Sequence, residues 1–438
     1  MENSVIEASY PLTFRENDAK ALGALLKNRH SVVLIGMKRV GISNFLRFFL
    51  NHNEVIPTYI SDGNSHLLVS VDLNDLVERE FFPFWILTLK RIYDSVEKSS
   101  MAAATKKYVE GLFLDSMQSK DTFLTIESIR KSLVKITKEG IMPTIFFIRF
   151  DRLKDIVTPE LFGNLQGLRD AANQKLSYVF TSFRGLDVIS PNVFRKPSLS
   201  VFAQNMFIKP ANKEDIKVIL GIYKDRYKLT LSPAFIDSVL EAVDGYVQYL
   251  QLSLISFHEP GVKIGEEENI FAFLSKDERI MLQSEELWES LNSVEQNVLL
   301  KIGGTQQITE KEKKEASYLW DTGFVVGKNG KNAIFSSLFN YYLKQRQMNK
   351  GNGSNVDLSK KEYLLFNFLK SKMGEICERE EIIQAVWSEV EELGVSDWAI
   401  DRLVARLRTK LRSKEPNLEI QTVKTRGYKM VEASGISR

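Results

Sequence analysis

The chain has 438 residues, enough for two to four domains that each bury a core of their own. Its 59 Lys and Arg residues exceed its 56 Asp and Glu residues by only three, so any binding of nucleic acid must come from a local basic surface. One cysteine excludes an intramolecular disulfide, and four scattered histidines show no zinc-ligand spacing. The apolar runs are too short to span a membrane and the N-terminus lacks a signal-peptide pattern, so we expect a cytoplasmic protein.

The first predicted element is a helix within residues 12–29, which leads into an apolar strand at residues 31–35. The loop GMKRVGIS at residues 36–43 follows and precedes a second apolar helix. A strand, a glycine-bounded loop and a helix are the setting of a phosphate-binding loop, where backbone N–H groups and the helix N-terminus hold an anion. The loop fits the pattern G-x-x-x-x-G-K-[ST] except that Ile42 replaces the lysine. The residues alone therefore leave open a plain strand-to-helix turn.

Three further apolar runs predict strands of the same parallel sheet: VSVDL at residues 69–73, TIFFIRFD at 144–151 and SYVFTS at 177–182. Long helical stretches separate them, which is typical of a doubly wound sheet with helices on both faces. The run at 144–151 ends on Asp151, where the carboxylate of a Walker B strand holds Mg²⁺ through water. The sequence therefore predicts an α/β P-loop NTPase core, followed by a helical lid.

Residues 12–258 resemble the STAND and archaeal-type P-loop ATPases of the AAA+ group, which have a nucleotide-binding sheet and a helical lid, commonly followed by a winged helix. The resemblance implies that ATP or ADP binds with Mg²⁺, and that Ser43 and Asp151 hold the metal. The nucleotide-binding residues that it implies are Gly36, Lys38, Arg39, Gly41, Ser43, Asp151 and Arg184.

The chain departs from that family where catalysis is concerned. The P-loop lysine, the acidic residue after the Walker B aspartate and the lid proline are replaced by Ile42, Arg152 and Val247. Lys38, Arg39 or Arg149 could restore the missing charge, although Arg149 could equally be a strand-end residue that reaches solvent. We therefore expect a nucleotide-binding module without efficient hydrolysis, and not primarily an enzyme.

A second compact pattern predicts a first winged helix, with helices at residues 284–302 and 311–323, a hairpin at 324–335 and a helix at 337–347. It resembles the winged helix that ends many STAND modules. Its second helix has no basic exposed face, which favours a structural or interdomain role over DNA binding. The run MNKGNGSN at residues 348–355 is polar and rich in Gly and Asn, and predicts a linker.

The segment SDWAIDRLVARLRTKLR at residues 396–412 predicts an amphipathic helix, followed by a hairpin at 419–431. Its apolar positions have the spacing of a helix packed on a small core: Ile400, Leu403, Val404, Leu407 and Leu411. Residues 402–429 carry nine Lys and Arg and two Asp and Glu, a net +7. Residues 375–401 carry one Arg and nine Asp and Glu, a net −8. A basic helix before a basic hairpin is what a winged helix presents to DNA, although an Arg-rich helix alone is often only a solvated surface.

Residues 357–432 resemble the winged-helix effector domain of OmpR/PhoB-type response regulators, through the runs LSKKEYLLFNFL, REEIIQAVW, VSDWAIDRLVARLRTKL and IQTVKTRGYKM. In that family the third helix and the wing contact double-stranded DNA. The DNA-binding residues that the resemblance implies are Trp398, Arg402, Arg406, Arg408, Lys410, Thr422, Lys424, Arg426 and Tyr428. Trp398 and Leu403 stand where many relatives have polar base-reading residues, so the resemblance predicts DNA binding but not the operator.

The sequence thus predicts an NTPase-like core at residues 1–205, a lid and connector at 206–282, a first winged helix at 283–347, a linker at 348–356 and a DNA-binding domain at 357–438. We expect a nucleoid-associated transcription regulator whose degenerate NTPase module controls or oligomerises the C-terminal winged helix. The acidic loop at residues 388–397 is a candidate contact for RNA polymerase. One alternative is an ATP-dependent signalling, defence or mobile-element switch with accessory DNA binding, and another is a scaffold that binds DNA without nucleotide.

Overall fold

The structure, a computed structural model, divides into two compact units, Met1–Gln345 and Arg346–Arg438. The described residues are 5–60, 63–76, 78–194, 202–226, 228–229, 231–258, 269–328, 330–351, 358, 360–386, 397–423 and 426–433. At residues 154–155, 349–351, 360, 397–399 and 413–414 the description covers the backbone alone. Within these ranges, no helix has both the length and the apolar character needed to cross a membrane.

The first unit is an α/β core followed by further helices and a hairpin. Its strands are β1 (Val32–Gly36), β2 (Ser65–Asp72), β3 (Ile141–Ile148), β4 (Ser177–Ser182), β5 (Gln204–Ile208), β6 (Val325–Lys328) and β7 (Lys331–Ile334). The helices up to β5 are α1 (Glu16–Lys27), α2 (Ile42–Asn51), α3 (Phe81–Lys98), α4 (Ala103–Ser119), α5 (Thr122–Lys138), α6 (Pro159–Ala171), α7 (Leu186–Ile189) and α8 (Pro191–Phe194). After β5 come α9 (Lys213–Arg226), α10 (Pro233–Val243), α11 (Val247–His258), α12 (Ile270–Leu274), α13 (Glu278–Glu289), α14 (Ser293–Gly303), α15 (Glu310–Glu315), α16 (Tyr318–Asp321) and α17 (Ser337–Gly351).

Strands β1 to β5 form a parallel sheet in the order β2-β3-β4-β1-β5. The predicted α/β fold with a parallel sheet is confirmed. Val32 and Leu34 of β1 pack into the core on one face of the sheet, and Val33 and Ile35 into the core on the other. This alternation follows from the two-residue period of a strand. β1 and β4 are buried along their whole length, which explains why both are continuous apolar runs in the sequence.

Several elements differ from the sequence-based expectation. The helix predicted at residues 311–323 is two short helices, α15 and α16. β3 ends at Ile148 and not at Asp151, which lies in a 3-10 helix (Phe150–Ile156). β5 is absent from the predicted strands, and the predicted boundary after residue 205 passes through it. The helix predicted at residues 284–302 is two helices, because Asn292 and Glu295 form a capping box that begins α14.

The second unit is a winged helix, as predicted. It contains α18 (Lys360–Ser371), β8 (Cys377–Glu378), α19 (Arg379–Val386), α20 (Asp397–Lys414), β9 (Leu418–Val423) and β10 (Gly427–Glu432). The strands form an antiparallel sheet in the order β8-β10-β9, and the predicted apolar stripe of α20 is buried beneath it. A side chain at Gly427 would collide with the carbonyl oxygen of Cys377, so β8 can approach β10 only at a glycine. The first residues of the predicted linker are helical, since α17 continues to Gly351; residues 352–357 lie outside the described residues.

Candidate functional sites

The predicted phosphate-binding loop lies between β1 and α2. Arg39 and Gly41 have positive φ angles of 61° and 109°. A Cβ at Gly41 would lie 2.7 Å from Cγ2 of Val247, the first residue of α11, and a Cβ at Gly36 would lie 2.8 Å from the carbonyl oxygen of Ile208. Close packing therefore leaves no room for a side chain at either position, so both must be glycine. Val247, which stands where the lid proline is expected, packs directly against the loop.

The two cations of this loop face a carboxylate of the same chain. Glu286 of α13 is buried, and its Oε2 accepts a hydrogen bond from Arg39 Nε at 3.2 Å. Its Oε1 lies 3.8 Å from Lys38 Nζ. The Tyr246 hydroxyl donates a hydrogen bond of 2.5 Å to the carbonyl oxygen of Lys38. We call Lys38, Arg39 and Glu286 the loop latch, because the carboxylate supplies the negative charge that a bound phosphate would otherwise bring.

A cation follows β3 where a Walker B strand would place its aspartate. Arg149 has a φ angle of 62° and forms an ion pair with Asp72 at the end of β2. Asp151 lies farther along, and burial raises the pKa of its carboxyl although Lys38 and Arg152 act in the opposite direction. The described residues contain no group of three or more His, Cys, Asp and Glu that could hold a metal ion. The magnesium site of a P-loop is a different kind of site, built from a Ser or Thr hydroxyl, an aspartate and the phosphates of the nucleotide, so Ser43 and Asp151 as its ligands stay a prediction.

The remaining predicted nucleotide residues are Ser43 and Arg184. Ser43 lies partly buried in the first turn of α2. Arg184 is 9% exposed, and its Nη1 and Nη2 donate to the two carboxylate oxygens of Glu295 at 2.6 and 2.7 Å. Nη2 also donates to the carbonyl oxygen of Ser290 at 2.6 Å, and the guanidinium lies 3.7 Å from the centroid of the Tyr318 ring. These partners tie Arg184 to α14 and α16, in the segment where the sequence predicts the first winged helix.

Two predicted DNA-contacting residues of α20 pair with a buried carboxylate. Glu362 of α18 is 0% exposed; its Oε2 lies 2.6 Å from Lys410 Nζ and its Oε1 lies 3.7 Å from Arg406 Nε. The resemblance implies that Arg406 contacts DNA, which needs an exposed side chain, but Arg406 is only 7% exposed. Arg406 comes three residues after the buried Leu403 and therefore lies on the same side of α20, facing α18. There the carboxylate of Glu362 faces its guanidinium.

Arg408 joins α20 to the hairpin. Its Nε donates to the carbonyl oxygen of Ile420 at 2.7 Å, and its Nη2 donates to Oγ1 of Thr422 at 2.8 Å. Its guanidinium also lies 5.7 Å from the centroid of the Tyr428 ring. Tyr428 is buried, and burial together with the hydrogen bond from its hydroxyl to Asp401 raises the pKa of Tyr428 to about 12. Its ring therefore belongs to the core beneath the predicted DNA-binding surface.

The candidate DNA face consists of the exposed and partly exposed polar residues of α20 and the hairpin. They are Arg402, Arg408, Thr409, Arg412, Thr422 and Arg426. A groove of about 660 Å³ beside α20 and β9 is lined in part by Arg408, Arg412 and Thr422. Arg412 is missing from the predicted set, although its place four residues after Arg408 put it on the same side of the helix. The side chain of Trp398, all of Lys424 and the acidic residues 388–396 lie outside the described residues.

Two curated transcriptional regulators resemble part of the chain. The chain is 35% identical over 79 residues to the transcriptional regulatory protein VxrB of Vibrio cholerae, covering 18% of this chain and 30% of that protein. It is 36% identical over 87 residues to the probable transcriptional regulator ycf27 of Cyanophora paradoxa, covering 20% of this chain and 36% of that protein. The chain therefore matches about a third of the length of these two curated relatives.

Solved structures resemble larger parts of the chain at low identity. The Walker-type ATPase PABY2304 of Pyrococcus abyssi aligns with a TM-score of 0.44 and 15% identity, over 75% of this chain and 95% of that one. The ORC2 protein of Aeropyrum pernix aligns with a TM-score of 0.45 and 12% identity, over 80% of this chain and 98% of that one.

The predicted resemblance of the C-terminal domain is confirmed: residues 353–430 match the family described as "Transcriptional regulatory protein, C terminal".

Proposed function

We propose that this chain is a DNA-binding transcription regulator in which the first unit controls or oligomerises the C-terminal winged helix. The match of residues 353–430 to the C-terminal family of transcriptional regulators carries the proposal. VxrB is named a transcriptional regulatory protein and ycf27 a probable transcriptional regulator, which supports the same proposal. The P-loop fold of the first unit supplies a module that can change state when it binds a ligand.

The proposed DNA contacts combine α20 in the major groove with the hairpin on the phosphate backbone. Arg402, Arg408 and Arg412 of α20 reach its surface, and Arg426 lies exposed at the hairpin with its Nη2 3.8 Å from Glu378 Oε1. Trp398 and Lys424 remain part of the proposed set. Arg406 and Lys410 support this surface through the buried carboxylate of Glu362, and Tyr428 supports it through its buried ring.

Selection of bound duplexes from a random DNA pool tests this function on the full-length chain. We expect a recurrent sequence to be enriched, and binding to weaken linearly in a plot of log affinity against log salt. Arg412→Ala and Arg426→Ala should each reduce that slope by about one phosphate contact. Lys370→Ala, an exposed cation of α18, serves as the control and should leave the slope unchanged. No enrichment, or equal slopes in all variants, would remove the proposed DNA face.

We further propose that ATP or ADP reaches the loop only by displacing Glu286 from the loop latch. Nucleotide phosphates and this carboxylate compete for the same two cations, Lys38 and Arg39. Glu286 lies on α13, directly before the helix whose Glu295 holds Arg184. Displacement would therefore act on the element that joins the NTPase core to the first winged helix. Magnesium held by Ser43 and Asp151 stays part of the proposal. Hydrolysis is left out, because Arg149 follows the strand where a Walker B aspartate would stand.

Glu286→Gln is expected to raise the affinity for ADP about tenfold. The amide keeps the shape of the side chain but loses the charge, and a hydrogen bond to a charged group contributes about 1.5–3 kcal/mol, where about 1.4 kcal/mol corresponds to tenfold. Calorimetric titration with ADP, with and without Mg²⁺, measures the change. Glu289→Gln on the exposed side of the same helix is the matched control. Failure of ADP to bind either protein at millimolar concentration would make the loop a scaffold.

The remaining assignments are parts of the same proposal. The chain would act in the cytoplasm. Its domains would follow the predicted limits, except that the NTPase-like core would extend far enough to include β5. Self-association of the first unit would pair two winged helices on DNA half-sites. The acidic segment at residues 388–397 would contact RNA polymerase.

A further inference from the structure

We propose that the crevice between α2 and α3, which borders the nucleotide loop at Ser43, is a binding site for a small organic anion with an apolar body. The crevice has a volume of about 420 Å³, within the range of small-molecule sites. Its apolar lining comes from two layers of the fold: Leu46 and Leu50 of α2, Leu68 of β2 and Ile148 of β3. These side chains offer a surface on which an aliphatic or aromatic group can be buried.

The crevice lies where parallel sheets bind ligands. Asp72 ends β2, Arg149 immediately follows β3, and both line the cavity. Ligands of open α/β sheets bind outside the carboxyl ends of the strands. Arg149 holds a left-handed backbone, which costs energy for a non-glycine residue, and its N–H donates to Oγ1 of Thr181 at 2.7 Å. The fold thus fixes a cation at the carboxyl edge of the sheet, beside an apolar floor.

The charged lining favours an anion. It contains Arg47, Arg91, Lys98 and Arg149 against Asp72, Asp75 and Asp94, four positive and three negative side chains. Arg91 is held by Asp75 at 2.6 Å and by Asp94 at 3.2 Å, and Arg47 pairs with Glu7 at 2.6 Å. Lys98 is exposed, and among the described residues no carboxylate pairs with it.

Arg149 and Lys98 are the groups left to receive an anionic head. The ion pair of Arg149 with Asp72 is about one-third exposed on each side, so a carboxylate or phosphate of the ligand can share or replace it at little cost. The apolar body of the ligand would then pack against Leu46, Leu50 and Leu68. Ser43, in the first turn of α2, also lines the crevice, so a bound ligand would touch the helix that begins at the phosphate-binding loop.

Photo-crosslinking to 4-benzoylbenzoate tests the site on the full-length chain, because this probe joins an apolar benzophenone to one carboxylate. Peptide mapping should find the label in α2, β2 or α3. Arg149→Gln and Lys98→Gln should each lower the labelling of those peptides, and loss of one charge-assisted hydrogen bond corresponds to about tenfold. Arg130→Gln, a partly exposed arginine of α5 outside the crevice, should label like the wild type. The neutral amide of the same probe should label the crevice more weakly.

Two results would overturn the proposal. One is a label confined to the exposed apolar tip of α4 and α5, where Phe123 is 73% exposed. The other is a label in the crevice that neither substitution changes, which would mean that the cations do not recognise the carboxylate. Lys98→Gln removes an unpaired surface charge and should leave folding intact, so it decides the question even if Arg149→Gln fails to fold.

Discussion

Glu362→Gln is expected to destabilise the second unit by about 3–5 kcal/mol, the usual cost of removing one partner from a buried ion pair. The carboxylate is fully buried and faces both Arg406 and Lys410, so the amide would remove the buried negative charge that these two cations share. Hydrogen exchange of the full-length chain measures the loss in α20 directly. Amides there that exchange by unfolding of the unit should exchange about a hundredfold faster or more.

Glu381→Gln provides the comparison within the same unit. Glu381 pairs with Lys372 at 2.6 Å, but both side chains are at least one-third exposed. Water can replace their interaction, so exchange in α20 should hardly change. Similar effects of the two substitutions would show that Glu362 contributes no more than a surface carboxylate.

Glu295→Ala is expected to have an effect of the same size in the first unit, again about 3–5 kcal/mol. The substitution leaves the buried guanidinium of Arg184 without its bidentate partner. It also removes the capping box of α14, since Glu295 Oε2 accepts the backbone N–H of Asn292 at 2.9 Å. Hydrogen exchange at increasing denaturant concentration should show that α14 of the variant opens at a lower concentration than the parallel sheet of β1 to β5.

The chain contains its own control for this prediction. Glu312 occupies the equivalent capping position of α15, where Thr309 is the cap and Lys301 the ionic partner, but the side chain of Glu312 is 25% exposed whereas that of Glu295 is 3% exposed. Glu312→Ala should therefore affect stability much less than Glu295→Ala. If the two variants were equally destabilised, helix capping and not the Arg184 pair would account for the result.

The elements with strong local patterns could be predicted from sequence, and those that depend on distant partners could not. β1 and β4 are fully buried and appear as continuous apolar runs. β5 has only Met206 and Ile208 buried and lies at the edge of the sheet, so its pattern is too weak to stand out. The break between α13 and α14 had a local signal, the Asn292–Glu295 capping box, which the apolar period of the segment obscured.

The functional residues show the same division more sharply. The loop sequence predicts Lys38 and Arg39 as phosphate ligands, and nothing near them in the chain indicates that Glu286 faces both. Arg406 looks like an exposed base-reader on a helical projection, because its buried partner Glu362 lies on another helix. Whether a charged side chain is exposed depends on its partners in distant segments as well as on the periodicity of its own helix. A single sequence shows only the periodicity.

The bonds from Arg408 to Ile420 and Thr422 have a consequence for how the winged helix would read a duplex. They fasten α20 to β9, so the distance between the helix and the hairpin is set by the protein. Because this spacing is fixed, the winged helix would favour DNA sequences whose groove width already matches it, and other sequences would have to be bent or their grooves narrowed at an energetic cost. Selectivity would then extend to base pairs that no side chain touches. Arg408→Ala would release the spacing between α20 and β9 and broaden the range of duplexes bound.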